Sequence, residues 1–328
     1  MRRLCEDQRC WRWGWSMAVL MSVWSLPQST MAHHPNPVSR TSGVAADLDV
    51  SEANSFLRGT LDSQWTYFGR LTNRPTGAVN VGLLQATLTP SFTARFSTET
   101  ALQLRVPAGF VRSSPGEGPA ETNFGLGDVS LEARQALHPL WGKGLLQIYL
   151  RAGLTAPTGQ YGADAALSVE AFNDTLDRIN YVTQLSLGAG VWAATAGIDA
   201  VVPLGDWGRT SLQGTWVEPF TETSDGIRWG RDWFLRASMA IDLASDVFTV
   251  IAAADVQRHE SNRASFENIE EIFGSRTEVG GAVGVRARWS QAWSCGLSGH
   301  VPVWQQADGV QLVEVVSVRV DCGYSAIE

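Results

Sequence analysis

The sequence predicts an all-β fold, a transmembrane antiparallel up-and-down β-barrel of about 12 strands. Three observations predict it. Apolar residues recur with a period of two along most of the chain, the connections between these runs are long and short by turns, and tryptophans gather near the run ends. In LLQIYLRAGLTAPTGQYG, residues 145–162, the apolar Leu146, Ile148, Leu150, Ala152 and Leu154 alternate with Gln147, Tyr149, Arg151 and Thr155. One face of such a strand avoids water and the other seeks it.

The chain opens with an export signal. Arg2, Arg3, Arg9 and Arg12 precede the apolar run WGWSMAVLMSVWSL, and Thr30 and Ala32 fit the small-residue positions of a cleavage site after residue 32. Met17 is an alternative start, which would leave little positive charge ahead of the apolar run. Losing residues 1–32 takes four of the 25 basic and two of the 33 acidic side chains, so the net charge deepens from −8 to −10. Such an acidic exported chain is a poor match for nucleic acid or anionic lipid. Cys5 and Cys10 leave with the signal, and Cys295 and Cys322 remain in an oxidising compartment. Residues 33–56 carry no sustained periodicity and read as a flexible periplasmic tail, with the barrel domain spanning residues 57–328.

The strands follow in order. Leu57, Leu61, Trp65 and Tyr67 form the first apolar face, alternating with Arg58, Thr60, Asp62, Gln64 and Thr66; Leu84, Ala86, Leu88, Phe92, Ala94 and Phe96 form the second. Leu102, Leu104, Val106, Ala108 and Phe110 give the third, Val129, Leu131, Ala133 and Leu137 the fourth, and the 145–155 run the fifth. The sixth, over residues 181–204, starts with Leu185, Leu187, Ala189 and Val191 outward and changes phase near Ala194, as one long bulged strand or two short ones. Residues 210–220 show Leu212 and Trp216 on one face, which Glu218 interrupts. Five further runs centre on Ala237, Ala252, Val283, Leu297 and Val318.

Loop lengths favour one long sixth strand. The connections then alternate strictly between long segments, such as 70–80, 112–123 and 156–180, and short ones, such as STET, PLGDWGR, ASD and SQ. An even strand number with short turns on one side is the organisation of a Gram-negative outer-membrane barrel. A soluble sandwich alternates too, but it would spend its tryptophans in mid-strand. Here Trp141, Trp207, Trp289 and Trp293 sit at short turns, and Trp229, Trp233 and Trp304 at long-loop ends. Rings with one wet end belong at a membrane's two interfaces.

FGLGDVSLEARQAL, a short turn and LRAGLTAPTGQYG, together residues 124–162, resemble the paired strands of outer-membrane proteins grouped as transporters of the meta-pathway of phenol degradation. The resemblance implies an outer-membrane barrel that passes small, often aromatic, solutes, and it carries no catalytic residues. The chain ends CGYSAIE, whereas many outer-membrane barrels end on an aromatic residue.

If the chain is a channel, its function lies on the inward face. Arg105, Arg134, Arg151, Arg236, Arg286, Arg288 and Arg319 share predicted inward positions with Asp128, Glu132, Asp255, Glu278 and Asp321. They can form a charged constriction that orders the polar ends of a solute, or an ion-paired lattice that closes the lumen of a structural or surface-interaction barrel. An esterase or lipase needs a nucleophile, a histidine and an orienting group. His300 faces inward with Ser294 and Ser298, but the sequence places no acid beside it, so no enzyme is expected. His33 and His34 would begin the mature chain and offer a weak copper or zinc site. No cofactor is expected. The expected partners are outer-membrane lipid, a small-molecule solute and the outer-membrane assembly machinery, with no nucleic acid. Val169, Phe172, Leu176 and Ile179, and the run at 265–273, have helical spacing that suits lids or rim caps over the outer mouth.

The last expectation is a register. Asp308-Gly309 favours a two-residue hairpin turn, pairing Ala307 with Val310. Partner numbers then sum to 617, which sets Cys295 directly opposite Cys322, Leu297 opposite Val320, Gly299 opposite Val318 and Val301 opposite Val316. A disulfide between the two cysteines is expected from this register.

Overall fold

The computed structural model describes residues 56–72, 82–97, 99–114, 121–137, 146–159, 187–224, 226–243, 247–261, 263–264, 275–290, 292–307 and 310–326. The signal and nearly all of the tail, His33, His34, His138, Trp141, both helically spaced loop runs and the Asp308-Gly309 turn lie outside these residues.

Twelve wall strands close into one antiparallel barrel. The first is β1 (Leu57–Thr72) and the second β2 (Gly82–Arg95). The third is split into β3 (Thr100–Arg105) and β4 (Ala108–Ser114), both paired with β2, and the fourth into β5 (Glu121–Leu126) and β6 (Val129–Ala136). Then come β7 (Gln147–Ala156), β8 (Ala193–Pro203), β9 (Gly208–Pro219), β11 (Asp232–Leu243), β12 (Phe248–His259), β14 (Arg276–Arg288), β15 (Trp293–Ala307) and β16 (Val310–Ala326). A minor pair, β10 (Ile227–Arg228) with β13 (Arg263–Ala264), lies apart from the wall. β1 pairs with both β2 and β16, which closes the ring. Closure gives every wall strand a neighbour on each side and so supplies the ladder hydrogen bonds that an open edge lacks.

Period-two alternation sorts the side chains as the sequence implies. Leu131, Leu150, Leu154, Ile198, Leu212, Leu235, Val283, Leu297 and Val318 point outward and are exposed, while Thr87, Glu132, Arg151, Asp199, Gln213, Arg236, Asp255, Arg286 and Arg319 point inward and are buried. The fold is therefore apolar outside and polar inside, the inverse of a soluble domain. Trp207, Trp289 and Trp293 are exposed at short-turn ends, and Trp216 stacks on Trp233 with centroids 5.0 Å apart near the opposite rim.

Two expectations are corrected. Leu187, Ala189 and Val191 are not outward strand positions: the eighth-numbered strand begins only at Ala193, and these three side chains are buried. Gly190 takes φ 67°, which turns the chain, and Asp128 holds the Ala189 backbone, so the segment folds inward. The count of twelve strands is unaffected. Trp229 is likewise buried and not in an interfacial belt, because its indole N–H donates to the Ala189 carbonyl at 3.0 Å.

The last hairpin follows the expected register from Trp293↔Tyr324 to His300↔Ser317, including Cys295↔Cys322, Leu297↔Val320 and Gly299↔Val318. It stops one pair short of Val301 and Val316. Two β-bulges lie just beyond. Trp304 opposes Val279 but Pro302 opposes Gly280, which makes Val303 the extra residue; Val316 opposes Tyr67 but Glu314 opposes Phe68, which makes Val315 the extra residue. Each bulge reverses the inside–outside phase of the residues after it.

Candidate functional site: a charged lumen

The inward faces assemble three groups of polar side chains. The first spans β3, β6, β7, β8 and β9. Arg151, buried at its centre, donates from Nη1 to Glu132 Oε2 at 3.3 Å, from Nε to Asp199 Oδ1 at 3.1 Å and from Nη2 to the Thr215 hydroxyl at 2.8 Å. Arg134 reaches Asp199 at 3.5 Å and lies 4.0 Å over the Tyr149 ring. Arg105 donates to Gln103 Oε1 at 2.6 Å and stands 4.0 Å from Glu132.

The second group spans β11 to β16 and crosses the seam to β1. Arg236 and Asp255 pair at 3.5 Å, Arg286 and Asp321 at 3.1 Å, and Arg319 Nε donates to Asp62 Oδ1 at 2.8 Å. His300 lies between two acids, Nδ1 being 2.6 Å from Glu314 Oε1 and Nε2 3.3 Å from Asp255 Oδ1. The sequence alone places no acid beside that ring, and the fold brings two to it. Gln305 donates to Glu278 Oε2 at 3.0 Å and to the Glu314 carbonyl at 2.8 Å. Arg288, opposite Ser294, occupies an inward position nearer the short turn. A small polar cavity opens beside this group, lined by Gln64, Arg236, Asp255, Glu278, His300 and Arg319 among others.

The third group is built on Asp128, where the fourth wall strand breaks between β5 and β6. Its carboxylate accepts the Gly159 N–H at 2.8 Å and the Ala189 N–H at 2.5 Å, tying together the chain just after β7 and just before β8. Glycine is required here. A Cβ on Gly188 would lie 2.7 Å from Asp128 Oδ1, and one on Gly159 would lie 2.6 Å from the Gly127 carbonyl carbon. Asp128 therefore stands apart from the arginine clusters and acts on backbone instead.

Asp62, Asp199, Gln305 and Glu314 are site residues that the sequence reading did not select. Asp62 and Asp199 were legible, since each takes the inward place that follows an outward apolar residue, Leu61 and Ile198. Glu314 and Gln305 were not, because the two bulges put them inside.

No family model matches the chain, and no curated protein matches it. Among solved structures, the COG4313 outer membrane channel from Pseudomonas putida F1 superposes with a TM-score of 0.65 over 83% of this chain and 96% of that one, at 13% identity. The KdgM porin (TM-score 0.42, 9% identity, 81% of this chain and 99% of that one) and a FadL homologue from Pseudomonas aeruginosa (0.42, 12%, 92% and 99%) are more distant. The geometry and the first of these likenesses define the class: a closed 12-stranded antiparallel β-barrel of the outer-membrane type.

Proposed function

We propose that this chain is an outer-membrane channel or transporter, a passive route for a small solute through a charged lumen. One observation carries the reading. Each ion pair named above joins strands that are neighbours or at most two strands apart, so charge is paired along the wall instead of being tied across the lumen. Pairs of that kind set fixed positive and negative groups along the wall without themselves bridging the lumen. The resemblance of residues 124–162 supports a small aromatic solute, whose polar end the arginines and carboxylates would orient. The channel name of the Pseudomonas putida structure supports the same role.

Export through a signal cleaved after residue 32, delivery to a Gram-negative outer membrane and insertion by its assembly machinery belong to this proposal. So does the absence of catalysis: both His300 nitrogens face carboxylates, which leaves neither ring nitrogen directed at Ser294 or Ser298 as a base. Single-channel recording of the full mature protein in planar bilayers tests the reading, with discrete conductance steps expected.

One observation favours a closed structural barrel as the second reading, namely the inward fold of residues 187–191 over Asp128. Silent bilayers for both the wild type and Asp128→Ala would support it against transport. Growth on candidate aromatic compounds with and without the gene then identifies the solute.

A further inference from the structure

Glu278 is a buried carboxylate, 2% exposed, whose hydrogen-bond partner among the described residues is the neutral Gln305 amide on Oε2. The two guanidinium groups that line the same cavity pair elsewhere, Arg236 with Asp255 and Arg319 with Asp62. A buried anion without a cation is costly. Beside it stand His300 and Glu314, and one ligand atom from each of Glu278, His300 and Glu314 lies within 4.8 Å of the others.

The histidine is set up as a ligand. A ring donating Nε2–H to Asp255 turns its Nδ1 lone pair toward Glu314 Oε1, 2.6 Å away. Two acceptors so placed require a positive species between them, either a proton or a metal ion. A carboxylate behind a histidine, itself braced by Arg236, is the arrangement that fixes the tautomer and raises the basicity of metal-bound imidazole. The backbone is shaped for the cluster as well. Past the bulge at Val303 both Val303 and Trp304 are exposed, so Gln305 turns inward; past the bulge at Val315 both Val315 and Val316 are exposed, so Glu314 turns inward. Side-by-side bulges on adjacent strands thus aim two residues at Glu278 that regular strands would have sent outward.

We propose that Glu278, His300 and Glu314 bind one divalent first-row cation, zinc in the first instance, with Asp255 orienting His300. Three protein ligands of mixed imidazole and carboxylate type suit zinc better than calcium or magnesium, which prefer oxygen alone. Tetrahedral coordination at about 2.1 Å needs ligand atoms roughly 3.4 Å apart, which small side-chain rotations supply. The fourth position opens to the cavity, where water or a solute oxygen completes it. This site is independent of whether the barrel conducts.

The test uses the full mature protein in detergent, stripped with chelator, incubated with zinc alone and passed through gel filtration before metal analysis. About one zinc per chain is expected to be retained, calcium is not, and Glu278→Gln and His300→Gln each abolish retention. Asp255→Asn weakens zinc affinity about 10- to 100-fold without removing a ligand. Folding of every variant is checked by its β-type circular dichroism, and Glu278→Gln, which keeps the Gln305 hydrogen bond, serves if His300→Gln does not fold. Three results overturn the proposal: no zinc retained, which leaves an imidazolium as the species between His300 and Glu314; retention unchanged in Glu278→Gln; or retention lost in His33→Ala/His34→Ala, which places the metal on the chain terminus.

Discussion

Cys295 and Cys322 face each other directly across β15 and β16, with Cα atoms 4.1 Å apart and a disulfide between them. Both occupy outward positions two residues from Trp293 and Tyr324, whose rings meet at 4.9 Å. The bond closes a segment with a sequence separation of 27, for which the chain-entropy account gives about 3 to 4 kcal/mol of stabilisation. Thiol labelling of denatured protein is expected to find no reactive cysteine before reduction and two per mature chain afterwards. Full labelling without reductant would remove the bridge from the native protein.

Arg151 is expected to be the most sensitive position of the β3–β8 wall. Arg151→Ala leaves Glu132 and Asp199 buried without their shared guanidinium, a loss of about 3 to 5 kcal/mol. Arg151→Lys keeps the charge but not the fork that contacts three partners at once, so it is expected to fall in between. Urea unfolding of barrels reconstituted in short-chain lipid vesicles measures both.

Asp128→Ala removes the acceptor of two backbone N–H groups and is expected to release residues 187–191 from the lumen. If the protein conducts, its single-channel conductance rises. Gly188→Ala is expected to reproduce the effect from the opposite side, since its Cβ would meet the same carboxylate oxygen. Equal conductance in all three proteins would sink the idea that this clamp narrows the path.

Ala237 lies near the middle of β11 and is exposed on the outer face. Ala237→Arg is expected to reduce stability in bilayers by about 2 to 4 kcal/mol, the effect of a cation near the bilayer midplane. A change below about 1 kcal/mol in the same vesicle titration would mean that this face does not meet hydrocarbon.

Most of the wall was legible because a strand with lipid on one face and water on the other must alternate, and the phase of Leu150, Arg151 and Ala152 is the same in sequence and in space. The inward cations were legible for the same reason. Failures came where an apolar residue has two ways to leave water. Leu187, Ala189 and Val191 alternate as lipid-facing residues do, yet they pack inside, where Ala189 and Val191 cluster with Trp229; only Gly188, Gly190 and the distant Asp128 mark the difference. Glu314 and Gln305 were hidden by single extra residues, because a bulge has no reliable signature in one sequence and shifts everything beyond it by one face. His300 gains Glu314 through the Val315 bulge and Asp255 through register alone, which brings it from two strands away.

The seam between β1 and β16 has a consequence for how this molecule comes into being. Asp62 and Arg319, joined there, are separated by 257 positions in the chain. The ring cannot close before β16 is in place, and until then both terminal strands are raw edges able to recruit any passing strand. The entropic toll of so large a loop is modest because it grows only logarithmically with length. The real hazard is time spent unclosed. A cross-linked β15–β16 hairpin shortens that time: it presents the last strand already in register, so the first strand has a finished template to meet. Truncation within the last strand would therefore leave more than a weaker barrel. It would leave a sheet with no way to stop growing.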